Sequence, residues 1–281
     1  MDYTRDMLSN QQIGDLRDRF LSQLKLDCQD ENEIGLYLSG GIDSCAVLLG
    51  LLALNKEVTA YTFSLPGKLS TDFRTAQKVA EKFNCKFVGV ELWQNVNLSI
   101  VYKLMKTFQC RKKTDIECLY PFLATMPHVK ERVVLTGYES DDHFLLNRQA
   151  MTHYKKTLEL NQAYRRSIFQ NYSTLQFEKL KEIGLSHGKS IQSPYCSKPI
   201  YDFFYDKTWN DLNKPKRKYP LIQMFDQMSL IGDLLYHSNL QMGDSGLREH
   251  FAVLLNSSIN KNNRSRVMDL YRDLFNEIRD G

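Results

Sequence analysis

The residues with the clearest chemical meaning lie at positions 39–44, where the chain reads SGGIDS. An apolar run at 34–38 precedes them, and a proline-free apolar stretch at 45–54 follows. This order predicts a buried strand, a glycine turn and the start of a helix. In such a turn, backbone N–H groups and the positive end of the helix dipole face outward and favour an anion. The glycines let the backbone approach phosphate groups closely, and the serine hydroxyls add hydrogen-bond donors.

Asp43 does not suit a simple phosphate cradle, because its carboxylate repels an anion. It fits if a Mg²⁺ ion lies between the carboxylate and the phosphates, so we interpret the loop as a nucleotide-phosphate site with Mg²⁺. The loop is not a Walker motif, since no lysine follows its glycines. The GKS at 188–190 has Ile183 where that motif has its first glycine, and SGGIDS does not match GxGxxG. The alternative interpretation is a capped strand-to-helix turn without a ligand.

The composition is that of an ordinary globular protein. The chain has 281 residues, 42% of them hydrophobic and 25% charged, with a formal net charge of +4. No apolar run approaches the ~20 residues of a membrane span, and the N-terminal residues do not resemble a signal peptide. The six cysteines have no CxxC or metal-type spacing, which favours reduced thiols. We therefore expect a cytoplasmic protein with no membrane partner.

Strand and helix patterns alternate in the first half of the chain. Strands are predicted at 34–38, 56–63, 86–92 and 132–136, and helices at 10–24, 45–54, 72–83, 97–108 and 119–129, the last interrupted by a proline. This alternation predicts an α/β fold, with a Rossmann-like parallel sheet covered by helices on both faces. Beyond Phe144 the chain is predicted to be mostly helical, ending in a helix at 266–278. The predicted organisation is an N-terminal helical segment at 1–30, an α/β core at 31–145 and a helical part at 146–281 that completes the active site.

Three further segments follow SGGIDS in a characteristic order. They are YTFSLPG at 61–67 before a helix with Asp72, VVLTGYESDDHF at 133–144, and a segment ending in SPY at 187–195 that leads to NKPKRKYPL at 213–221. Together the four segments resemble the synthetase domain of the asparagine synthetase family, which includes the β-lactam and carbapenam synthetases. That family belongs to the ATP pyrophosphatase (PP-loop) superfamily. The resemblance extends over roughly residues 12–225.

The resemblance implies a chemistry and a set of site residues. It implies that the protein binds ATP and Mg²⁺, forms AMP and pyrophosphate, and activates a carboxylate or carbonyl oxygen for attack by ammonia or an amine. The residues implied in nucleotide binding are Leu38, Ser39, Gly40, Gly41, Asp43, Ser44, Phe63, Ser64, Gly137 and Tyr138. Asp43 and Asp141 are the implied metal ligands, and both are implied as catalytic residues together with Lys218.

Two of these assignments have alternatives in the sequence itself. Asp141, like Asp43, follows a predicted strand, so the two carboxylates would meet at the carboxyl edge of the sheet. The pair Asp141-Asp142 would also suit the N-terminus of a helix for reasons of charge alone. Lys218 would stabilise negative charge that develops in the reaction. It lies in the basic run 214–218, so the alternative is a solvated lysine.

Several departures from the family pattern bear on the substrates. The chain starts with Met1-Asp2 and has no terminal cysteine nucleophile, so we expect no glutaminase domain. Ammonia would then come from solution or from a separate glutaminase subunit. Tyr138 replaces a glutamate of the family pattern, residues 107–117 are basic where an acidic residue is expected, and the segment 193–197 lacks an aspartate. Aspartate is therefore not the expected substrate.

Two other functions remain open at the level of sequence. One is modification of a nucleobase, tRNA or DNA, in which the basic clusters at 111–113, 165–166 and 214–218 would bind a polyanion. The other is a degenerate, non-catalytic ATP-binding subunit. The retention of Asp43, Asp141 and Lys218 together favours an enzyme, with a small-molecule carboxylate and an amine or ammonia as its substrates.

Overall fold

A parallel β-sheet forms the centre of the protein. The computed structural model describes residues 7–93, 98–232, 244–254, 272 and 275–278. In this part of the chain the strands are β1 (Glu33–Tyr37), β2 (Glu57–Ser64), β3 (Lys86–Glu91), β4 (Val133–Thr136) and β5 (Ser190–Gln192). They form one sheet of order β3-β2-β1-β4-β5, and every neighbouring pair is parallel. The chain therefore crosses over between strands, as the alternating pattern predicted.

Helices cover both faces of this sheet. Their bounds are α1 (Asn10–Asp27), α2 (Ile42–Ala53), α3 (Thr71–Lys82), α4 (Leu98–Lys106), α5 (Lys113–Thr125), α6 (Ser140–His143), α7 (Leu158–Ile168), α8 (Leu175–Leu185), α9 (Lys198–Tyr205), α10 (Trp209–Asn213), α11 (Tyr219–Met224), α12 (Met228–Ile231) and α13 (Leu247–Leu254). One core joins α1, α2, α3, α9 and α11 to the sheet, and a second joins α4, α5, α8 and α13 to it. The predicted α/β fold with a mostly helical C-terminal part is confirmed. No helix in the described ranges is long and apolar enough to cross a membrane.

Helix α1 illustrates how local sequence sets an element. Ser9 caps its N-terminus in a capping box with Gln12, which satisfies two backbone donors. The buried side chains Ile13, Leu16, Phe20 and Leu24 form the stripe that the sequence predicted, and the helix packs on α2, α9 and α11. The N-terminal segment is therefore joined to the same core as the sheet. The domain boundaries near residues 30 and 145 stay a prediction.

The structure differs from the sequence interpretation in three elements. Strand β5 was not predicted, because it has three residues and Ile191 alone is buried, which is too short for a periodic signal. Helix α5 covers 113–125 and contains Pro121, whereas the sequence predicted a helix at 119–129. Residues 126–128 instead form a 3₁₀ turn with Pro127. The predicted helix at 266–278 lies mostly outside the described residues.

Candidate active site

The SGGIDS loop joins β1 to α2 and has the geometry of an anion site. The N-cap of α2 is Gly41, which has no side chain to accept hydrogen bonds from the first turn. The backbone N–H groups of that turn therefore remain available to a ligand. Gly40 has a φ of 78°, and a Cβ there would lie 2.4 Å from Cγ2 of Thr75. Both the left-handed backbone and the close approach of α3 therefore require glycine at this position.

Two serines brace the loop from within. The Oγ atoms of Ser39 and Ser44 lie 3.2 Å apart, and the backbone N–H of Ser39 donates to Ser44 Oγ at 3.3 Å. Ser44 Oγ also donates to the carbonyl of Gly41 at 3.2 Å. Leu38, the residue after β1, donates its N–H to the carbonyl of Tyr61 on β2. The loop is thus held by its own side chains and by the neighbouring strand.

A second glycine brings the loop after β4 against the start of α2. A Cβ at Gly137 would lie 2.7 Å from the backbone N of Ser44 and 2.9 Å from the Cβ of Asp43. A real Cβ atom is essentially never this close to other atoms, so the contact between the two segments requires glycine at position 137. The residue Glu139 that follows is left-handed, with a φ of 71°, and α6 begins directly after it. Asp141, in the first turn of α6, is thereby brought beside Asp43.

Lys218 joins these two carboxylates. Its Nζ lies 2.7 and 2.6 Å from the two carboxylate oxygens of Asp43, and 2.6 Å from Oδ1 of Asp141. The Lys218 side chain is 9% exposed, against 23% for Asp43 and 47% for Asp141. Lys214 and Lys216, in the same basic run, are exposed. The interpretation of Lys218 as a solvated lysine is therefore wrong, because burial and ion pairing distinguish it from its neighbours.

The backbone at Lys218 is itself constrained. Its φ of 57° is left-handed, which costs free energy for a residue with a long side chain. The backbone N–H of Lys218 donates to Oδ1 of Asn213, and Asn213 in turn donates to the carbonyls of Phe144 and Trp209. These bonds fix the lysine between α10 and α11 with its ammonium toward the sheet edge. Asn213 was not predicted from the sequence, since no local pattern marks an asparagine that braces a residue five positions later.

The charges in this cluster do not balance. Two ionised carboxylates facing one ammonium leave an excess of negative charge around the buried Lys218 side chain. Burial raises the pKa of Asp43, Lys218 opposes that rise, and the nearby Asp141 adds to it. Burial by itself lowers the pKa of Lys218, but Asp43 and Asp141 outweigh it, so that pKa is raised. Burial of Asp43 explains the first direction, and the two carboxylates beside the ammonium explain the second.

Further side chains hold the cluster in position, and the sequence had not predicted them as site residues. Ser140 Oγ donates to Oδ1 of Asp43 at 2.7 Å, and the hydroxyl of Tyr195 donates to the Asp43 carbonyl at 3.3 Å. Asp142 accepts from the hydroxyl of Tyr164 at 2.7 Å, and burial raises its pKa. Ser140 could have been found from its place beside Asp141 in the motif. Tyr195 and Tyr164 come from distant segments, so only the fold brings them here.

The cluster opens into a cavity of about 430 Å³, within the usual range for small-molecule sites. Of the predicted site residues, those that line it are Leu38, Ser39, Asp43, Ser44, Phe63, Gly137, Tyr138 and Asp141. Gly40 and Gly41 lie in the loop behind this wall, and Lys218 reaches the site through its two carboxylate partners. Ser64 is buried and is not part of the lining.

The cavity has two ends that lie over different strands. One end is next to β2 and α3, with Thr62, Phe63 and Ser70 in its wall. The other is next to β4, α5 and α8, and its wall includes Phe122, Tyr138 and Gln176. The α5 wall could not be predicted from the sequence, because apolar residues on a helix are ordinarily part of the core. Since β2 and β4 lie on opposite sides of β1, the glycine loop is between the two ends.

The segment 244–254 contributes one residue to the wall. Ser245 lines the cavity, and the Asp244 carboxylate accepts from the N–H of Thr71 at 2.9 Å and from its hydroxyl at 2.7 Å. Phe251, on α13, packs against Tyr120 of α5 with ring centroids 5.2 Å apart. The segment 244–254 is thus attached to α3 at one end and to α5 at the other.

The donor set of the site fits Mg²⁺ rather than a transition metal. The described residues contain no group of three or more His, Cys, Asp or Glu side chains arranged to hold a metal ion. Mg²⁺ does not need such a cage, because it is typically bound by one or two carboxylates together with substrate phosphates and water. Asp43 and Asp141 could supply those carboxylates, and the unbalanced negative charge of the cluster favours a cation.

In the basic cluster at 165–166, Arg166 is exposed but Arg165 is not. Arg165 is fully buried, and its guanidinium donates to the carbonyls of Lys207 and His143 at 3.0 and 2.9 Å. Burial lowers its pKa to about 10. Arg165 therefore links α7 to the end of α6 and to the segment after α9, and the expectation that it would contact a polyanion is wrong.

The fold and the site together define a class, the nucleotide-binding α/β proteins of the ATP pyrophosphatase (PP-loop) type. The sequence profile described as asparagine synthase matches residues 15–231, and the chain belongs to this family of ATP-dependent ligases. The resemblance stated from the motifs is confirmed. No curated protein matches the chain.

Several solved structures are similar to the chain at low identity. The NMN synthetase of Francisella tularensis is 12% identical, with a TM-score of 0.41 and 92% of each chain covered. The NH3-dependent NAD synthetase of Campylobacter jejuni is 16% identical, with a TM-score of 0.33, over 52% of this chain and 60% of that one. A predicted subunit of tRNA methyltransferase from Methanocaldococcus jannaschii is 16% identical, with a TM-score of 0.30, over 60% and 94%.

Proposed function

We propose that this protein is an ATP-dependent ligase that forms AMP and pyrophosphate. It activates the carboxylate, or an equivalent carbonyl oxygen, of a small molecule as an adenylate and transfers the acyl group to ammonia or an amine. The observation that carries this proposal is the convergence of Lys218, Asp43 and Asp141 beside the glycine loop, in a chain of the asparagine synthase family. A degenerate subunit would have no need to retain this ion-paired cluster.

Each part of the site has a role in this reaction. Backbone N–H groups at the start of α2, with Ser39 and Ser44, would bind the phosphates. Asp43 and Asp141 would hold Mg²⁺, which when bound neutralises phosphate charge. In the first step a carboxylate oxygen attacks the α-phosphorus and pyrophosphate leaves. In the second step the nitrogen attacks the acyl carbon and AMP leaves. The buried ammonium of Lys218 would stabilise the negative charge that develops in these steps.

The products of ATP cleavage test this proposal. ATP labelled in the adenine ring and in the γ-phosphate is incubated with the full chain, Mg²⁺, ammonium and a set of carboxylic acids, and the products are separated by chromatography. We expect AMP and pyrophosphate, in amounts that depend on the acid. Glutamine in place of ammonium tests the nitrogen source in the same assay. ADP and phosphate as products would contradict the proposal.

Replacement of Lys218 tests the assignment of the catalytic charge. We expect Lys218→Ala to lower kcat by roughly 10²-fold or more, with little change in the KM for ATP, because the lysine would act on charge that develops in the transition state. Lys214→Ala and Lys216→Ala are matched controls from the same basic run, and both side chains are exposed. Equal losses in all three variants would contradict the assignment and favour a diffuse basic surface for a nucleic acid.

A further inference from the structure

Aromatic rings line the end of the cavity that lies over β4. We call this part the aromatic end, and it consists of Tyr37, Cys118, Pro121, Phe122, Thr125 and Tyr138. The ring centroids of Tyr37 and Phe122 are 4.7 Å apart at 80°, and those of Phe122 and Tyr138 are 6.1 Å apart at 72°. Tyr138 also stacks on Phe177 behind it, at 5.8 Å. These edge-to-face and stacked contacts hold the rings in fixed orientations.

The hydroxyl groups at the aromatic end are bonded to other protein groups. The hydroxyls of Tyr37 and Thr125 share a hydrogen bond of 3.0 Å, and Thr125 is also 2.8 Å from the carbonyl of Pro121. The hydroxyl of Tyr138 donates to the side chain of Gln176, whose Nε2 donates to Asp115 at 2.9 Å. What remains for a ligand is mostly the apolar faces of the rings and the proline.

The described residues that line the cavity include no lysine, arginine or histidine. Lys218 lies at the loop, where Asp43 and Asp141 hold its ammonium. Beyond the loop, the charged groups that line the cavity next to α6 are Glu139 and Asp142. A second carboxylate on a substrate would therefore be desolvated against aromatic rings, near two acidic side chains and without a cation, which is costly.

We propose that the aromatic end selects a monocarboxylate with an uncharged, apolar body and excludes dicarboxylates, with Phe122 and Tyr138 as the specificity-determining residues. This inference rests on the proposed function, and it places the nucleotide base at the end of the cavity over β2 and the reacting carboxylate at the loop. The body of the acid then extends over β4 into the aromatic end. At the loop, the ammonium of Lys218 is close to the reacting carboxylate. The described lining contains no cationic side chain that could pair with a second carboxylate.

Matched acids test this selectivity on the full chain. Hexanoate and adipate have the same carbon chain and differ by one terminal carboxylate, and 3-phenylpropionate and aspartate extend the comparison. Pyrophosphate release is measured with Mg²⁺, ATP and ammonium. We expect kcat/KM for hexanoate and 3-phenylpropionate to exceed that for adipate and aspartate by at least ~10-fold, since an unpaired desolvated charge costs more than a neutral group. A preference for adipate or aspartate would overturn the inference and leave the proposed function intact.

Variants of Phe122 and Tyr138 distinguish a loss of substrate selectivity from a general loss of folded protein. Phe122→Ala should raise the KM for 3-phenylpropionate by roughly 10-fold or more through lost aromatic contact, with the KM for ATP unchanged. Phe122→Arg supplies the missing cation and should shift the preference toward adipate. Tyr138→Phe keeps the ring and should keep the selectivity, because the lost hydroxyl is bonded to Gln176. Unchanged selectivity in both Phe122 variants would refute the assignment, and no release of pyrophosphate with any acid would overturn the proposed function as well.

Discussion

Lys218→Met removes the ammonium that Asp43 and Asp141 share. The loss of its contact with Asp43 should destabilise the fold more than the loss of its contact with Asp141. Methionine keeps most of the apolar stem and loses the ammonium that lies 2.6 and 2.7 Å from the oxygens of Asp43. Asp43 is 23% exposed, so its unpaired carboxylate is largely desolvated, and we expect a loss of about 1–3 kcal/mol in the free energy of unfolding. Asp141 is 47% exposed, and water compensates there, so its share is about 0–1 kcal/mol.

Double-mutant cycles measure these two shares separately. Lys218→Met is combined with Asp43→Asn in one cycle and with Asp141→Asn in the other, and urea unfolding is followed by circular dichroism without Mg²⁺ or nucleotide. The coupling energy of the Lys218–Asp43 pair should be about 1–3 kcal/mol, and that of the Lys218–Asp141 pair below about 1 kcal/mol. This order follows from burial, since the two contacts are equally short.

The exposed Lys216 provides the control for this series. Lys216→Met should change the free energy of unfolding by less than about 0.5 kcal/mol, as expected for a surface position. The reasoning is refuted if both cycles give the same coupling energy, or if the Lys218–Asp43 coupling is within about 0.3 kcal/mol of zero. A changed m-value in the single variant would show that the unfolding transition itself has altered.

The remaining predictions concern the core and the cavity wall. Burial raises the pKa of Asp27 from 3.8 to about 6, so folding favours the protonated form, and this group's contribution to stability falls as the pH rises from about 4 to 6. Asp27→Asn should remove that dependence and stabilise the protein at pH 7.5 by about 2–3 kcal/mol, as urea unfolding at pH 5 and 7.5 will test. Gly137→Ala forces a Cβ to within 2.7 Å of the backbone of α2 and should cost about 1–3 kcal/mol and most ATP turnover, whereas Gly14→Ala, with no atom within 4 Å, should be neutral or stabilising in thermal melts. Asp244→Asn weakens the contact to Thr71 and should raise the KM for ATP by roughly 3–10-fold with little change in melting temperature, and an unchanged KM would dissociate this contact from nucleotide binding.

Local patterns allowed the sheet and the glycine loop to be predicted from the sequence. Parallel strands are buried on both faces, so they form short apolar runs, and glycines mark the turns between them. The SGGIDS loop lies at the junction of β1 and α2, as expected, and Asp141 lies just beyond β4. Strand β5 could not be predicted, because its pairing with β4 depends on a neighbour more than fifty residues away rather than on its own three residues.

The contacts within the candidate site were less accessible to sequence reasoning. Lys218 was singled out by motif position, but its burial depends on Asn213 and on the left-handed turn before α11. Phe122 looked like a core residue of a helix, since an apolar side chain has the same pattern whether it packs on protein or lines a cavity. The roles of such residues depend on tertiary contacts, which a single sequence does not record.

The wall formed by residues 244–254 has a consequence for how this protein could have diverged from its relatives. The family match ends at residue 231, yet Ser245 lines the cavity and Phe251 packs on α5. The sheet edge that holds the carboxylates and the lysine belongs to the matched part, and this piece of the enclosure does not. Selection can therefore reshape one side of the cavity while the glycine loop and the charged cluster stay fixed. This part of the enclosure and the charged cluster therefore lie on separate stretches of the chain.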